Sequence, residues 1–425
     1  MNYMLNKQTA IQLLDLKIGK KITVYQYLKD FFNKPRYFIL PKSILVQNII
    51  IFFFSKMRKL ILFCQLVIKS KFIFSNPSHK KNILFDDEQL NVSEKIFITN
   101  NYFILKSRIE NINEIYISVK IIKYILKNFF SSSIKVNYIS ALIHIIEPKN
   151  IITITDNSID FFLQARIFKN KKIKFIAIQN AHRYDNDPEI RRLRLLTYYF
   201  TFSNFEKKIF QNKSLRKNII PMGSIRSIVA KNYLKNRIKN KKVYDICLIS
   251  EPDPEIGGGD LGTKNLDKKV TLVAEHCLKF AKKFKKKIIF SGKQDIRSNF
   301  KFVEQKFYKY NLRNKKFSIS FNNKLKFGTY KNIIQSDVII GCTSSLLRES
   351  FAFQKKIMWC NFIKEAKFPF NGFMCLNNYD YETFEKTLIN ILKMNYKTFS
   401  KKVKNIESIY YNKDDAFNNL KKSLL

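Results

Sequence analysis

The sequence predicts an α/β protein of two Rossmann-like domains facing across a cleft, and three observations lead there. From Asn82 onward, short apolar runs alternate with helical segments, the pattern of parallel strands joined by helical crossovers. Polar residues stand where those runs stop, which is where an open parallel sheet builds its ligand crevice. A lysine- and asparagine-rich stretch separates two such sets. The expected division is therefore 1–226 for the first domain, 227–243 for a linker with a short helix, 244–400 for the second domain and 401–425 for a helical tail.

In chain order, residues 1–75 offer short strands over Lys21–Tyr25 and Tyr37–Leu40, then an apolar run from Ser43 to Phe54 and from Leu60 to Ile68, interrupted by Lys56, Arg58 and Lys59. Each piece is shorter than the roughly 20 residues that span a bilayer. A buried helix is expected there, with a membrane-surface contact as the alternative. No signal-peptide pattern precedes it. Asn82–Phe85 and Lys95–Thr99 read as strands, Ile115–Phe130 and Val136–Ile146 as helices. Strands over Ile151–Thr155 and Lys174–Ile178 flank a helix over Ser158–Phe168. Tyr198–Phe202, a helix from Asn204, and a short strand over Asn218–Ile220 complete the first set. In the second, strands are expected over Tyr244–Ser250, Lys287–Phe290, Phe317–Ser320, Val338–Ile340 and Ile357–Cys360. The intervening helices cover Lys268–Phe284, Phe300–Tyr310 and Thr329–Gln335, with Tyr381–Met394 beyond.

The chemistry sits at the strand ends. Gly341, Cys342, Thr343, Ser344 and Ser345 make a small-residue turn into a helix, whose free backbone N–H groups and hydroxyls suit a phosphate. Glu349, one turn on, is placed to reach ligand hydroxyls, although Ser344 or Ser345 also reads as a plain helix cap. The loop EPDPEIGGGDLGT after the strand ending at Ser250 is expected to face the same crevice, and Gly292 and Lys293 end the neighbouring strand. In the first domain Gln179, Asn180, His182 and Arg183 follow a buried strand. There a histidine serves as general base or phosphate ligand, or as a structural cap. Arg183 is a bidentate donor. Asp86, Asp87 and Asp156 end strands as further candidate bases or hydroxyl ligands. Gly223 and Ser224 form a turn, with Arg226 beside it.

The formal charge is +45, from 78 Lys+Arg against 33 Asp+Glu. The lysines are scattered through every helix, as AT-rich coding would give, and no nucleic-acid motif accompanies them, so an anionic membrane surface or substrate is expected and nucleic acid is not. The six cysteines include no CxxC pair and read as buried hydrophobes. Four histidines are too dispersed for a zinc site.

The residues Gln179-Asn180-Ala181-His182-Arg183, Met222-Gly223-Ser224, Ser336–Gly341 and Thr343–Glu349 resemble bacterial surface-polysaccharide transferases of the GT-B type. More distantly they resemble CDP-glycerol glycerophosphotransferases, although Ser320–Lys326 lacks the histidine of that family's second domain. The resemblance implies a glycosyltransferase moving a sugar from a nucleotide-activated donor to a lipid-linked or surface glycan. It implies donor binding by Gly341, Thr343, Ser344, Ser345, Glu349, Gly292 and Lys293, with His182 as the base ahead of Asp86 and Asp156. Phosphate or acceptor contacts fall to Gln179, Asn180, Arg183, Gly223, Ser224 and Arg226. No metal or bound cofactor is expected, the nucleotide-sugar being substrate, and the location implied is cytoplasmic, peripheral at the inner membrane face. A sugar-nucleotide epimerase and a non-enzymatic binding protein are the competing expectations.

Overall fold

The computed structural model describes residues 63–86, 102–181, 192–214, 218–238, 242–252, 266–296, 300–313, 315–323, 326–362, 372–410 and 420. The strands expected over Lys21–Tyr25, Tyr37–Leu40 and Lys95–Thr99 lie outside them. Two compact units divide the described chain between Val229 and Ala230, the residues after Glu407 grouping with the first.

In the first unit β1 (Lys71–Ile73) pairs with β4 (Glu114–Tyr116) in a small parallel sheet. The main sheet holds β2 (Asn82–Phe85), β3 (Tyr102–Leu105), β5 (Asn150–Thr153), β6 (Lys174–Ile178), β7 (Tyr198–Thr201) and β8 (Ile219–Pro221). All pairings are parallel, in the order β3-β2-β5-β6-β7-β8. The chain steps outward from β2 to β3, then crosses back to β5. The order therefore reverses between β2 and β5, and the crevice of such a sheet opens there.

The helices of this unit are α1 (Val119–Lys127), α2 (Ile134–Ile146), α3 (Ile159–Ile167) and α4 (Asn204–Ser214), and the boundary between the units falls within α5 (Ile225–Leu234). The helix expected from Ile115 begins later. Glu114–Tyr116 is taken by pairing with β1, Tyr116 N–H donates to the Tyr138 hydroxyl at 2.9 Å, and extended Ser118 caps α1 by accepting from Ile121 N–H. Ser203 caps α4, its Oγ accepting from Glu206 N–H and donating to the Glu206 carboxylate. In the core the Phe161 ring meets those of Phe85 and Phe175 edge-on, each at 5.6 Å.

The apolar run before β1 is described from Phe63. There it is helical, with Phe63, Val67 and Ile68 exposed rather than buried. No helix among the described residues is long and apolar enough to cross a membrane.

The second unit carries β9 (Tyr244–Ile249), β10 (Ile288–Asp295), β11 (Ile319–Asn322), β12 (Ser336–Gly341), β13 (Lys356–Cys360) and β14 (Cys375–Leu376). They form one parallel sheet in the order β11-β10-β9-β12-β13-β14. Here the order reverses between β9 and β12. The helices are α6 (Leu266–Lys283), α7 (Phe300–Asn311), α8 (Gly328–Ile334), α9 (Ser345–Glu349), α10 (Tyr381–Lys393) and, up to Glu407, α11 (Tyr396–Tyr410). Val338–Ile340 of β12 and Ile357–Cys360 of β13 are buried on both faces, which is why they read as unbroken apolar runs. α9 is continued by a 3-10 turn over Ser350–Phe353. β10 runs past Phe290, with its register against β11 shifting between Ser291 and Asp295.

Candidate functional site

At the reversal point of the second sheet, β12 delivers the turn Gly341–Ser344 and β9 delivers Ser250 and Glu251. A Cβ on Gly341 would lie 2.7 Å from Glu251 Oε1 and 3.3 Å from Leu347 Cδ1, so a larger residue there would push the Glu251 carboxyl off the turn. Glu251 is buried, and its carboxylate accepts from Cys342 N–H and Thr343 N–H, each at 2.6 Å, and from the Thr343 hydroxyl. Burial pushes its carboxyl above the ordinary range, and the hydrogen bonds from the turn pull it part of the way back. Ser344 caps α9 through its own Oγ, which accepts from Leu346 N–H at 3.3 Å. The N–H groups expected to be free for a phosphate are thus held by a protein carboxylate. Of the loop after β9 only Glu251 and Pro252 are among the described residues, and Glu251 reaches the turn. In the sequence nothing marks Glu251, because one acid in a Gly/Pro-rich loop carries no pattern of its own.

Two more buried carboxylates complete this end of the sheet. Glu304 on α7 accepts from the Ser250 hydroxyl, from Lys293 N–H at 2.9 Å and from Gln294 N–H at 3.0 Å, and burial raises its carboxyl as well. Glu349 is 1% exposed and accepts from the Tyr330 hydroxyl at 2.5 Å, so it is turned into the fold. Gly292 sits in the β10–β11 irregularity, where a Cβ would lie 2.9 Å from the Phe321 ring and 3.3 Å from Ser320 O. The Lys293 side chain is exposed. Gly341, Thr343, Ser344, Ser345 and Glu349 are therefore gathered on one turn and helix. Gly292 and Lys293 join them through Glu304 and Ser250.

In the first unit, Asp86 ends β2 with a left-handed φ of 50°. Its carboxylate accepts from Ser107 N–H at 2.6 Å, Ser107 Oγ at 2.5 Å and Ser158 Oγ at 2.6 Å, and its carbonyl from Thr155 Oγ1 at 2.7 Å. It ties the β2 end to the β5 end across the reversal point. Asp156 is buried just beyond the β5 end and accepts from the Tyr199 hydroxyl at 2.8 Å. Gln179 is also buried, bridging the ends of β6 and β7 by accepting from Phe202 N–H at 2.9 Å and donating to Ala181 O at 3.0 Å. Asn180 is half-buried. Gly223 has φ 84°, its N–H donating to Thr201 O at 3.2 Å, while buried Ser224 caps α5 by accepting from Ser227 N–H and Arg226 is half-buried. His182, Arg183 and Asp87 lie outside the described residues.

No group of three or more His, Cys, Asp or Glu among the described residues can hold a metal ion. Cys247, Cys277, Cys342 and Cys360 are buried and Cys64 is exposed. Burial pushes the Cys247 thiol up to about 12, which keeps it an inert hydrophobe.

No protein-family model matches the sequence, and no curated protein matches it. Solved structures do match the fold. A UDP-GlcNAc 2-epimerase from Neisseria meningitidis bound to UDP-GlcNAc aligns with a TM-score of 0.53 at 13% identity, covering 81% of this chain and 99% of that one. The Methanocaldococcus jannaschii UDP-GlcNAc 2-epimerase in complex with UDP-GlcNAc and UDP gives 0.52 at 14%, covering 81% and 99%. Staphylococcus aureus MnaA with UDP gives 0.53 at 10%, covering 81% and 98%. The chain has a GT-B type fold. Two parallel, helix-covered sheets, each with one reversal of strand order, are what that fold requires of the two halves.

Proposed function

We propose that this GT-B chain binds a nucleoside-diphosphate sugar at the carboxyl edge of the second sheet and acts on the activated sugar. The observation that carries this is the β9/β12 reversal point. Its small-residue turn already binds an anion, the Glu251 carboxylate, through two backbone N–H groups and a hydroxyl. A diphosphate oxygen makes the same demand on those donors. The fold-level likeness to structures holding UDP-GlcNAc or UDP supports the same class of ligand.

Two reactions are open to such a site. Interconversion of the sugar nucleotide is favoured by the epimerases among the matching structures. Transfer to a lipid-linked or surface glycan, by an enzyme peripheral to the cytoplasmic face of the membrane, is favoured by the basic, apolar face of the first unit described below. In either, a proton must leave a hydroxyl or a sugar carbon. His182 is the base assigned, with Asp156 next. Asp86 ranks below them because Ser107 and Ser158 already take its carboxylate.

Incubation with UDP-GlcNAc alone, followed by NMR, separates the two reactions: an epimerase equilibrates the sugar, whereas a transferase changes nothing until a lipid-linked acceptor is added. His182→Gln is expected to lower either rate by about 100-fold or more while UDP still binds. No thermal shift with any UDP-, CDP-, GDP- or CMP-sugar, together with no turnover, would sink the nucleotide-sugar reading and leave a binding protein.

A further inference from the structure

We propose that α1, with the turn that follows it, is a membrane-docking face that seats the first unit on an anionic lipid bilayer. α1 is divided lengthwise into three strips. Ile121, Tyr124 and Ile125 face the fold. Val119, Ile122 and Leu126 lie within about 60° of one another at the roughly 100° per residue of a helix, and all three are exposed. Lys120, Lys123 and Lys127 form the third strip, equally exposed, beside the apolar one. A helix that only covers a core needs the first strip and a polar remainder. The second strip, apolar and facing solvent, has no partner among the described residues.

The turn extends the same surface. Phe129 and Phe130 pack edge-on at 5.3 Å, with Phe130 99% exposed, and Ile134 at the start of α2 is 61% exposed. Isolated exposed apolar residues are ordinary, but a continuous strip ending in an exposed aromatic pair is not.

Charge decides what covers it. From Ile115 to Ile146 the chain holds Lys120, Lys123, Lys127 and Lys135 and no aspartate or glutamate. An apolar strip bordered by lysines fits acyl chains beneath anionic headgroups. A second copy of this chain, itself at +45, would bring like charge to the same face.

The placement fits a membrane-borne substrate. α2 leads into β5, so α2 begins, and α1 ends, at the carboxyl edge of the sheet. α3 starts at that edge too, and Lys135 pairs with Asp160 at 2.6 Å there. Asp86 and Asp156 end their strands on this edge. Docking through Phe129, Phe130 and Ile134 therefore holds the working edge of the first sheet close to the headgroups. The inference stands whichever sugar reaction the enzyme performs.

The test uses the full chain, without nucleotide, and vesicles of phosphatidylcholine with or without phosphatidylglycerol. Wild type is expected to sediment with the phosphatidylglycerol vesicles and to be released as salt rises. Leu126→Glu with Phe130→Glu should lower the partition coefficient about tenfold or more, the loss of two inserted apolar side chains. Phe130→Trp gives a direct reading, because the single native tryptophan, Trp359, is fully buried. The emission of the introduced indole should shift to the blue on vesicle addition and be quenched by brominated acyl chains. Failure of wild type to bind, equal partition by the double variant, or emission from the Phe130→Trp variant that brominated chains leave unquenched would each overturn the proposal. So would a vesicle-free melting temperature several degrees lower in the double variant, or a wild-type dimer that the double variant dissolves, since protein would then cover the face. UDP titration of the double variant, expected to match wild type, reads the nucleotide site separately.

Discussion

At the level of single residues, Glu251 occupies the donors that the proposed diphosphate would need, with Cys342 and Thr343 N–H each 2.6 Å from its carboxyl oxygens. Ligand entry at this turn must displace or neutralise it. With glutamine in its place the like-charge conflict is gone, so Glu251→Gln should bind UDP about tenfold more tightly at neutral pH. Calorimetry giving unchanged affinity would put the diphosphate elsewhere. The same carboxyl also sets a pH dependence. Burial raises it in the folded chain, and Glu304 moves in the same direction. The folded state then holds protons that the unfolded chain has released. The stability tied to these groups is complete below the ordinary carboxylate range and is lost as pH rises through the raised values. The second unit should therefore melt higher at about pH 5 than at pH 7 so far as these two groups govern it. Glu251→Gln should flatten the slope of melting temperature against pH.

Among the elements, α10 shows how a buried charge can be structural. Lys356 is 4% exposed at the start of β13, yet its ammonium donates to the Leu392 carbonyl at 3.1 Å and the Met394 carbonyl at 2.8 Å, closing the end of α10. It also pairs with Asp337 at 3.0 Å, and Lys242 lies 3.3 Å from the same carboxylate. Replacing Lys356 by methionine keeps the apolar stem and leaves Asp337 with Lys242, so the cost is that of two carbonyls losing their donor. Lys356→Met should lower stability by about 1–3 kcal/mol, read from the urea midpoint. A variant as stable as wild type would mean that the carbonyls find water instead.

At the scale of the whole molecule, each unit has its own parallel sheet and its own buried aromatic centre, Phe161 with Phe85 and Phe175 in one, Phe290 with Tyr308 and Phe317 in the other. Calorimetry should resolve two transitions rather than one. Phe161→Ala, which empties a fully buried position, should cost the first unit about 3–5 kcal/mol and move only its transition. Lys356→Met should move only the other. A single transition lowered by both substitutions would show that the units unfold together.

The sequence by itself determined the sheets. Phe175–Ile178, Ile246–Ile249 and Ile357–Cys360 are buried on both faces, and such stretches must be apolar, which a reader of the chain can see. It also determined that the polar strand ends would gather together, since loops after parallel strands lie at one edge of the sheet. The short partners were not legible in that way: Lys71–Ile73, Glu114–Tyr116 and Cys375–Leu376 carry two or three residues each, too few to show a period, and they become strands only because a neighbour supplies the hydrogen bonds. Tertiary structure alone decided what the polar residues do. Gln179, Asp86 and Glu349 look like ligand groups in the chain, but folding surrounds them with the Phe202 N–H, the Ser107 and Ser158 donors and the Tyr330 hydroxyl. Glu251 meets a turn far along the chain, at a separation of 91 and 92 positions from its backbone donors. A hydrogen-bond partner that distant leaves no trace in local pattern, because only the parallel pairing of β9 with β12 brings the two ends together.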